Sequence, residues 1–109
     1  MIPLINNRSD AIATLCRRHG VVQLDLFGSA TTGAFDAARS DLDFVAEFAE
    51  SAPTVEYVDR FLDFADGLEA LLGRRVNVVS ATALRGSRLA QAIAPERQRV
   101  YGESAPIAV

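Results

Sequence analysis

Apolar and polar positions along the chain change period several times, and each change predicts an element. Between Ser9 and His19 the apolar residues Ile12, Leu15 and Cys16 recur at helical spacing. They predict a helix capped by Asn6, Asn7 or Ser9 and ended by Gly20, while Pro3 argues against helix in the lead-in. From Val21 to Phe27 the period falls to two, with Val22, Leu24 and Leu26 on one face and Val21, Gln23, Asp25 and Phe27 on the other. A second alternating run opens on Asp41, turning Leu42, Phe44, Ala46 and Phe48 inward. Pro53, with Ser51 or Ala52 ahead of it, then opens a long helix to Leu72. Its apolar stripe is Val58, Phe61, Leu62, Ala65, Leu68 and Leu72. Asp59, Asp63, Asp66 and Glu69 make a solvated acidic face with a Glu56–Arg60 pair. Gly73 closes this helix, and Arg74–Ser80 reads as a third strand. Ser80–Leu84 forms a turn or short helix, Arg88–Ala94 is a helix stopped by Pro95, and Arg97–Tyr101 is a final edge strand. Strands alternating with helices predict an α/β domain over residues 1–102, with 103–109 a loose tail.

Composition narrows the function classes. The 109 residues are half apolar, which suits a packed core and excludes a disordered chain. A net charge of −3 with scattered basic residues excludes an extended surface for duplex nucleic acid. One cysteine, Cys16, allows no internal disulfide and fits a reducing cytoplasm; it reads as a core residue. The N-terminus does not read as a signal peptide, and no apolar run reaches the length of a membrane span. The single histidine, His19, cannot build a His-based metal site and reads as a cation at a helix C-terminus.

The chemistry concentrates in Leu24–Glu47. Asp41 and Asp43 project from one side of their strand, roughly 6–7 Å apart, and repel each other unless a cation lies between them. Hard divalent cations such as Mg²⁺ take carboxylate oxygens. Alone, Asp-x-Asp is a weak signal, since Asp also ends loops. Upstream, however, Phe27-Gly28-Ser29 makes a corner whose backbone N–H groups and Ser29 hydroxyl can face an anion. A short helix starting at Ser29 would add to this, and Arg39 reads as solvent-facing. Phosphate ligands at one end and metal ligands at the other describe a Mg²⁺–nucleotide site. Gly28 and Gly33 have P-loop spacing, but Ala34-Phe35 stand where Lys and Ser/Thr are required. Glu47 lies on the Asp41/Asp43 face but roughly 13 Å beyond Asp43, too far to share its cation. Asp25 could share that face too, although a solvent-facing strand residue is the simpler reading.

Phe27-Gly28-Ser29 followed by Ser40-Asp41-Leu42-Asp43 resembles the GS…DxD signature of DNA polymerase β-like nucleotidyltransferases. The chain looks most like the minimal nucleotidyltransferases (MNT), many of which are antitoxins paired with a HEPN-type ribonuclease. The resemblance implies a small mixed β-sheet backed by helices, with the site on the opposite face. It also implies that Gly28 and Ser29 hold phosphates, that Asp41 and Asp43 bind Mg²⁺, and that a carboxylate on a later strand completes the site. Here that later strand reads Arg75-Val76-Asn77-Val78-Val79, so Asn77 takes the third position, and an amide cannot accept a proton from an attacking hydroxyl. Thr32 replaces a family Arg, and the loop from Ser29 to Asp41 is one residue longer than usual.

The function implied is transfer of a nucleoside monophosphate, AMP from ATP or another NTP, onto a hydroxyl of a HEPN-type toxin or other partner in trans. A catalytically weakened or inactive binding module that neutralises its partner by complex formation is the alternative. A plain α/β interaction domain without a nucleotide site is a third reading.

Overall fold

Two runs of alternating apolar residues become the two central strands, and the rest of the chain covers or edges them. The computed structural model describes residues 2–33, 35–36 and 40–102. In chain order the elements are α1 (Pro3–Asn6), α2 (Ser9–Arg18), β1 (Val21–Phe27), α3 (Ser29–Thr32) and β2 (Leu42–Phe48). They continue with α4 (Val55–Leu72), β3 (Val76–Ser80), α5 (Ala81–Leu84), α6 (Arg88–Ile93) and β4 (Gln98–Tyr101). A 3-10 turn at Ala94–Glu96 precedes β4. The strands form one mixed sheet in the order β3-β2-β1-β4. β1 is antiparallel to both β2 and β4, while β2 and β3 are parallel. A parallel pair needs a crossover connection, which α4 supplies.

The two sheet faces carry different loads. Leu24, Leu26, Leu42, Phe44, Ala46, Phe48 and Val76 meet α2 and α4 through Ile12, Cys16, Phe64, Leu68 and Leu72. Phe48 sits among Tyr57, Phe61 and Phe64, with ring centroids 5.4–6.0 Å apart. Within this core, burial pushes the Cys16 thiol up to about 12, so it stays protonated at neutral pH and is no nucleophile. On the opposite face, Phe27 and Val45 pack under Leu84 of α5 and Ile93 of α6. The expected site face is therefore partly roofed by two short helices rather than open.

Several local expectations shift, each for a visible reason. Pro3 occupies the first turn of α1, where its missing N–H costs nothing, so the lead-in is helical after all. α2 begins at Ser9 without a side-chain cap. A register irregularity between Val21 and Gln23 breaks the alternation of β1: Val21 enters the core, and Val22 is 41% exposed. α4 starts later than Pro53, because the Thr54 hydroxyl accepts the Tyr57 N–H at 3.1 Å and fixes the N-cap. Its buried stripe runs through Phe64, Leu68 and Leu72, leaving Val58 and Leu62 48% and 54% exposed. Arg60 donates to the Glu50 carbonyl rather than forming the expected pair with Glu56. His19 Nδ1 lies 3.0 Å from the Leu15 carbonyl, at the end of α2 as its position implied. Arg39 and 103–109 fall outside the described residues. Among the described residues no helix is long and apolar enough to cross a membrane.

Asp25 departs furthest from its solvent-facing reading. It is only 5% exposed, and its carboxylate takes Arg97 at 2.8 Å through Oδ2 and Arg99 through Oδ1. Both arginines flank or belong to β4, so the pairs clamp that edge strand onto β1. Breaking a buried ion pair strands its remaining charges, which outweighs the lost attraction itself. Asp25→Ala is expected to lower unfolding free energy by about 3 kcal/mol in urea titrations.

Candidate functional site

The Gly-Ser corner follows directly from what ends β1. Gly28 adopts φ 78° and ψ −152°, a backbone region open to glycine and strained for other residues. That conformation turns the chain out of the strand into α3 at Ser29, and Gly33, also at positive φ, closes the four-residue helix. The expected helix from Ser29 is present. The Thr31 N–H and hydroxyl both return to the Gly28 carbonyl at 3.0 Å, tightening the corner.

The acids arrive from the neighbouring strand. Asp43 pairs with Phe27 on one side and Asn77 on the other, so it lies on the face of Asp25, Phe27 and Val45. Its carboxylate reaches over the corner: a Cβ on Gly28 would stand 2.5 Å from Asp43 Oδ2. Glycine is required there twice, for the backbone angle and for the space. Asp41 immediately precedes β2 and is partly buried; the Leu42 N–H already bonds the Arg75 carbonyl at 3.1 Å, so the ladder reaches this point. Strand alternation then gives Asp41 the same side as Asp43.

Asn77 is adjacent, as the parallel register dictates. Its amide nitrogen donates to Asp43 Oδ1 at 2.9 Å, on an exposed surface. The third position is thus a hydrogen-bond donor that orients Asp43, where a carboxylate would repel it. Among the described residues no three His, Cys, Asp or Glu side chains gather into a metal cage. Mg²⁺ seldom uses such a cage: one or two carboxylates with water and substrate phosphates suffice, and Asp41 with Asp43 fits that donor set. Asp25, held by its two arginines, does not replace the missing acid. Glu47 pairs with Arg85 at 3.9 Å.

One contact at the corner went unread in the sequence. Glu96, at the end of the 3-10 turn, accepts the Gly28 N–H through Oε1 at 2.8 Å. The signal available was modest: Glu96 is the one acid between Glu69 and Glu103, in a segment with six arginines.

A nucleotidyltransferase domain family model matches residues 9–100. The chain belongs to the nucleotidyltransferase family. Among solved structures it is similar to a candidate minimal nucleotidyltransferase, at 33% identity and TM-score 0.68, covering 85% of this chain and 89% of that one. It shares its fold with a toxin–antitoxin structure containing AMP-PNP, at 22% identity and TM-score 0.65, covering 88% of this chain and 74% of the other. A further fold neighbour is the tri-AMPylated Shewanella oneidensis HEPN toxin in complex with MNT antitoxin, at 19% identity, TM-score 0.60, and coverage of 91% of this chain and 73% of the other. No relative is found among curated proteins. The nucleotidyltransferase fold accounts for the mixed four-stranded sheet with its helices.

Gly28→Ala is expected to strain the backbone by roughly 1–3 kcal/mol and to push the Asp43 carboxylate off the corner. Thermal unfolding checks the first effect, and a crystal structure of the folded variant checks the second.

Proposed function

We propose that this nucleotidyltransferase moves AMP from ATP onto a hydroxyl of a partner protein in a Mg²⁺-dependent reaction. The partner would be a HEPN-type toxin, making the chain its antitoxin, acting in the cytoplasm. The observation that carries the reading is the Asp43 carboxylate lying directly over the Gly28 corner, with Asp41 one strand period away. Support for the partner comes from the toxin–antitoxin complexes among the fold neighbours.

In this mechanism Gly28 and Ser29 would orient the triphosphate, and Asp41 with Asp43 would hold Mg²⁺. When bound, the cation supplies charge neutralisation and alignment of the phosphates. The attacking hydroxyl oxygen bonds the α-phosphorus, the bond from that phosphorus to the bridging oxygen breaks, and pyrophosphate leaves. Asn77 keeps the Asp43 carboxylate facing the corner. It is no base, so the hydroxyl proton passes to solvent. Positioning and electrostatics can supply most of the rate in phosphoryl transfer, so a weak base slows the reaction without abolishing it.

The amide at position 77 also supports a second reading: a module that binds its partner and nucleotide without transfer. Incubation with labelled ATP, Mg²⁺ and a HEPN-type toxin separates the two. Label is expected on the toxin and is expected to vanish with Asp41→Asn or Asp43→Asn. Toxin neutralisation that persists in those variants without any labelling by wild type would favour the binding module. Asn77→Asp is expected to raise transfer or leave it unchanged in the same assay; a sharp loss would give Asn77 a role beyond holding Asp43.

A further inference from the structure

The corner's Gly28 N–H, one of the donors assigned above to phosphate, is already taken. Glu96 Oε1 accepts it at 2.8 Å. Sheet register delivers this carboxylate: Gln98 pairs antiparallel with Leu26, so two residues back along the β4 end corresponds to two residues onward from β1. The segment is also held, because Arg97, next to Glu96, and Arg99 are both fixed on Asp25. Glu96 is therefore placed by the fold rather than by a chance swing of a long side chain.

A carboxylate oxygen and a phosphate oxygen are equivalent acceptors for a backbone N–H, and one N–H serves one strong acceptor at a time. Like charges at this separation also repel. We propose that Glu96 sets the nucleotide affinity of the corner: the triphosphate binds only by displacing the Glu96 carboxylate from the Gly28 N–H. This rests on the nucleotide reading above. The same contact has a rival interpretation, in which Glu96 merely braces the Gly28 turn and its loss loosens the corner.

The two roles predict opposite signs. Titration calorimetry with ATP and Mg²⁺ is run on the wild type, Glu96→Gln and Glu96→Ala, with folding of each verified by circular dichroism. The glutamine keeps the shape but removes the charge and weakens the acceptor; the alanine removes the acceptor altogether. A roughly tenfold lower Kd is expected for Glu96→Gln, equivalent to about 1.4 kcal/mol. Tighter binding by either variant, including binding that appears only in a variant, supports the proposal. Equal or weaker binding by both overturns it and leaves the nucleotide reading standing. Absence of ATP binding in all three folded proteins overturns both.

Discussion

A carboxylate inside a sheet must be neutralised, and much of this protein's geometry depends on how Asp25 achieves it. Two guanidinium groups, from Arg97 just before β4 and Arg99 within it, converge on its oxygens. An apolar pair at this place could hold β4 with equal strength. What the ionic arrangement adds is direction, since a planar guanidinium bonds a carboxylate in few orientations. The edge strand is thereby held in one register against β1. That register carries Glu96 to the Gly28 corner.

On the candidate site face Asp43 is paired with an amide at position 77 rather than with another acid. Asp43 is bracketed: glycine below it leaves room, and the Asn77 amide beside it gives a hydrogen bond. A carboxylate at position 77 would stand beside Asp43 and repel it. The amide avoids the repulsion and orients Asp43 before any ligand arrives. Leu84 and Ile93 roof the apolar part of the same face, over Phe27 and Val45.

Much of this was legible in the sequence, and the misses have physical causes. β1 was readable to its ends because alternation, Gly28 and the preceding Gly20 all bound it. The Gly28-Ser29 and Asp41-Asp43 motifs were readable because each is short and local. The alternation holds for Leu24 and Leu26 but puts Val21 and Val22 on the wrong faces. A strand irregularity between Val21 and Gln23 shifts the start of the strand out of phase without leaving a residue-type signature. The α4 stripe was misjudged because Val58 and Leu62 satisfy the helical period as well as Phe64 does; only the sheet decides which side faces in. Asp25 looked solvated because its partners lie more than seventy residues away, at separations of 72 and 74. Glu96 was invisible for the same reason: its position depends on the register of a strand that sequence patterns cannot pair.

Those long separations have a consequence for how the protein comes into being. The corner, the paired acids and the Glu96 contact are contributed by segments near residues 28, 43, 77 and 96, and the Gly28–Glu96 bond alone closes a separation of 68 residues. Loop closure of that kind is a late event, since the entropy it consumes must be met by contacts already made. During synthesis the motif at Gly28 and Asp43 emerges long before the strand that positions Glu96. A nascent chain thus carries its recognisable signature for most of its translation without the finished geometry, and the corner gains its Glu96 contact only as the edge strand β4 locks on.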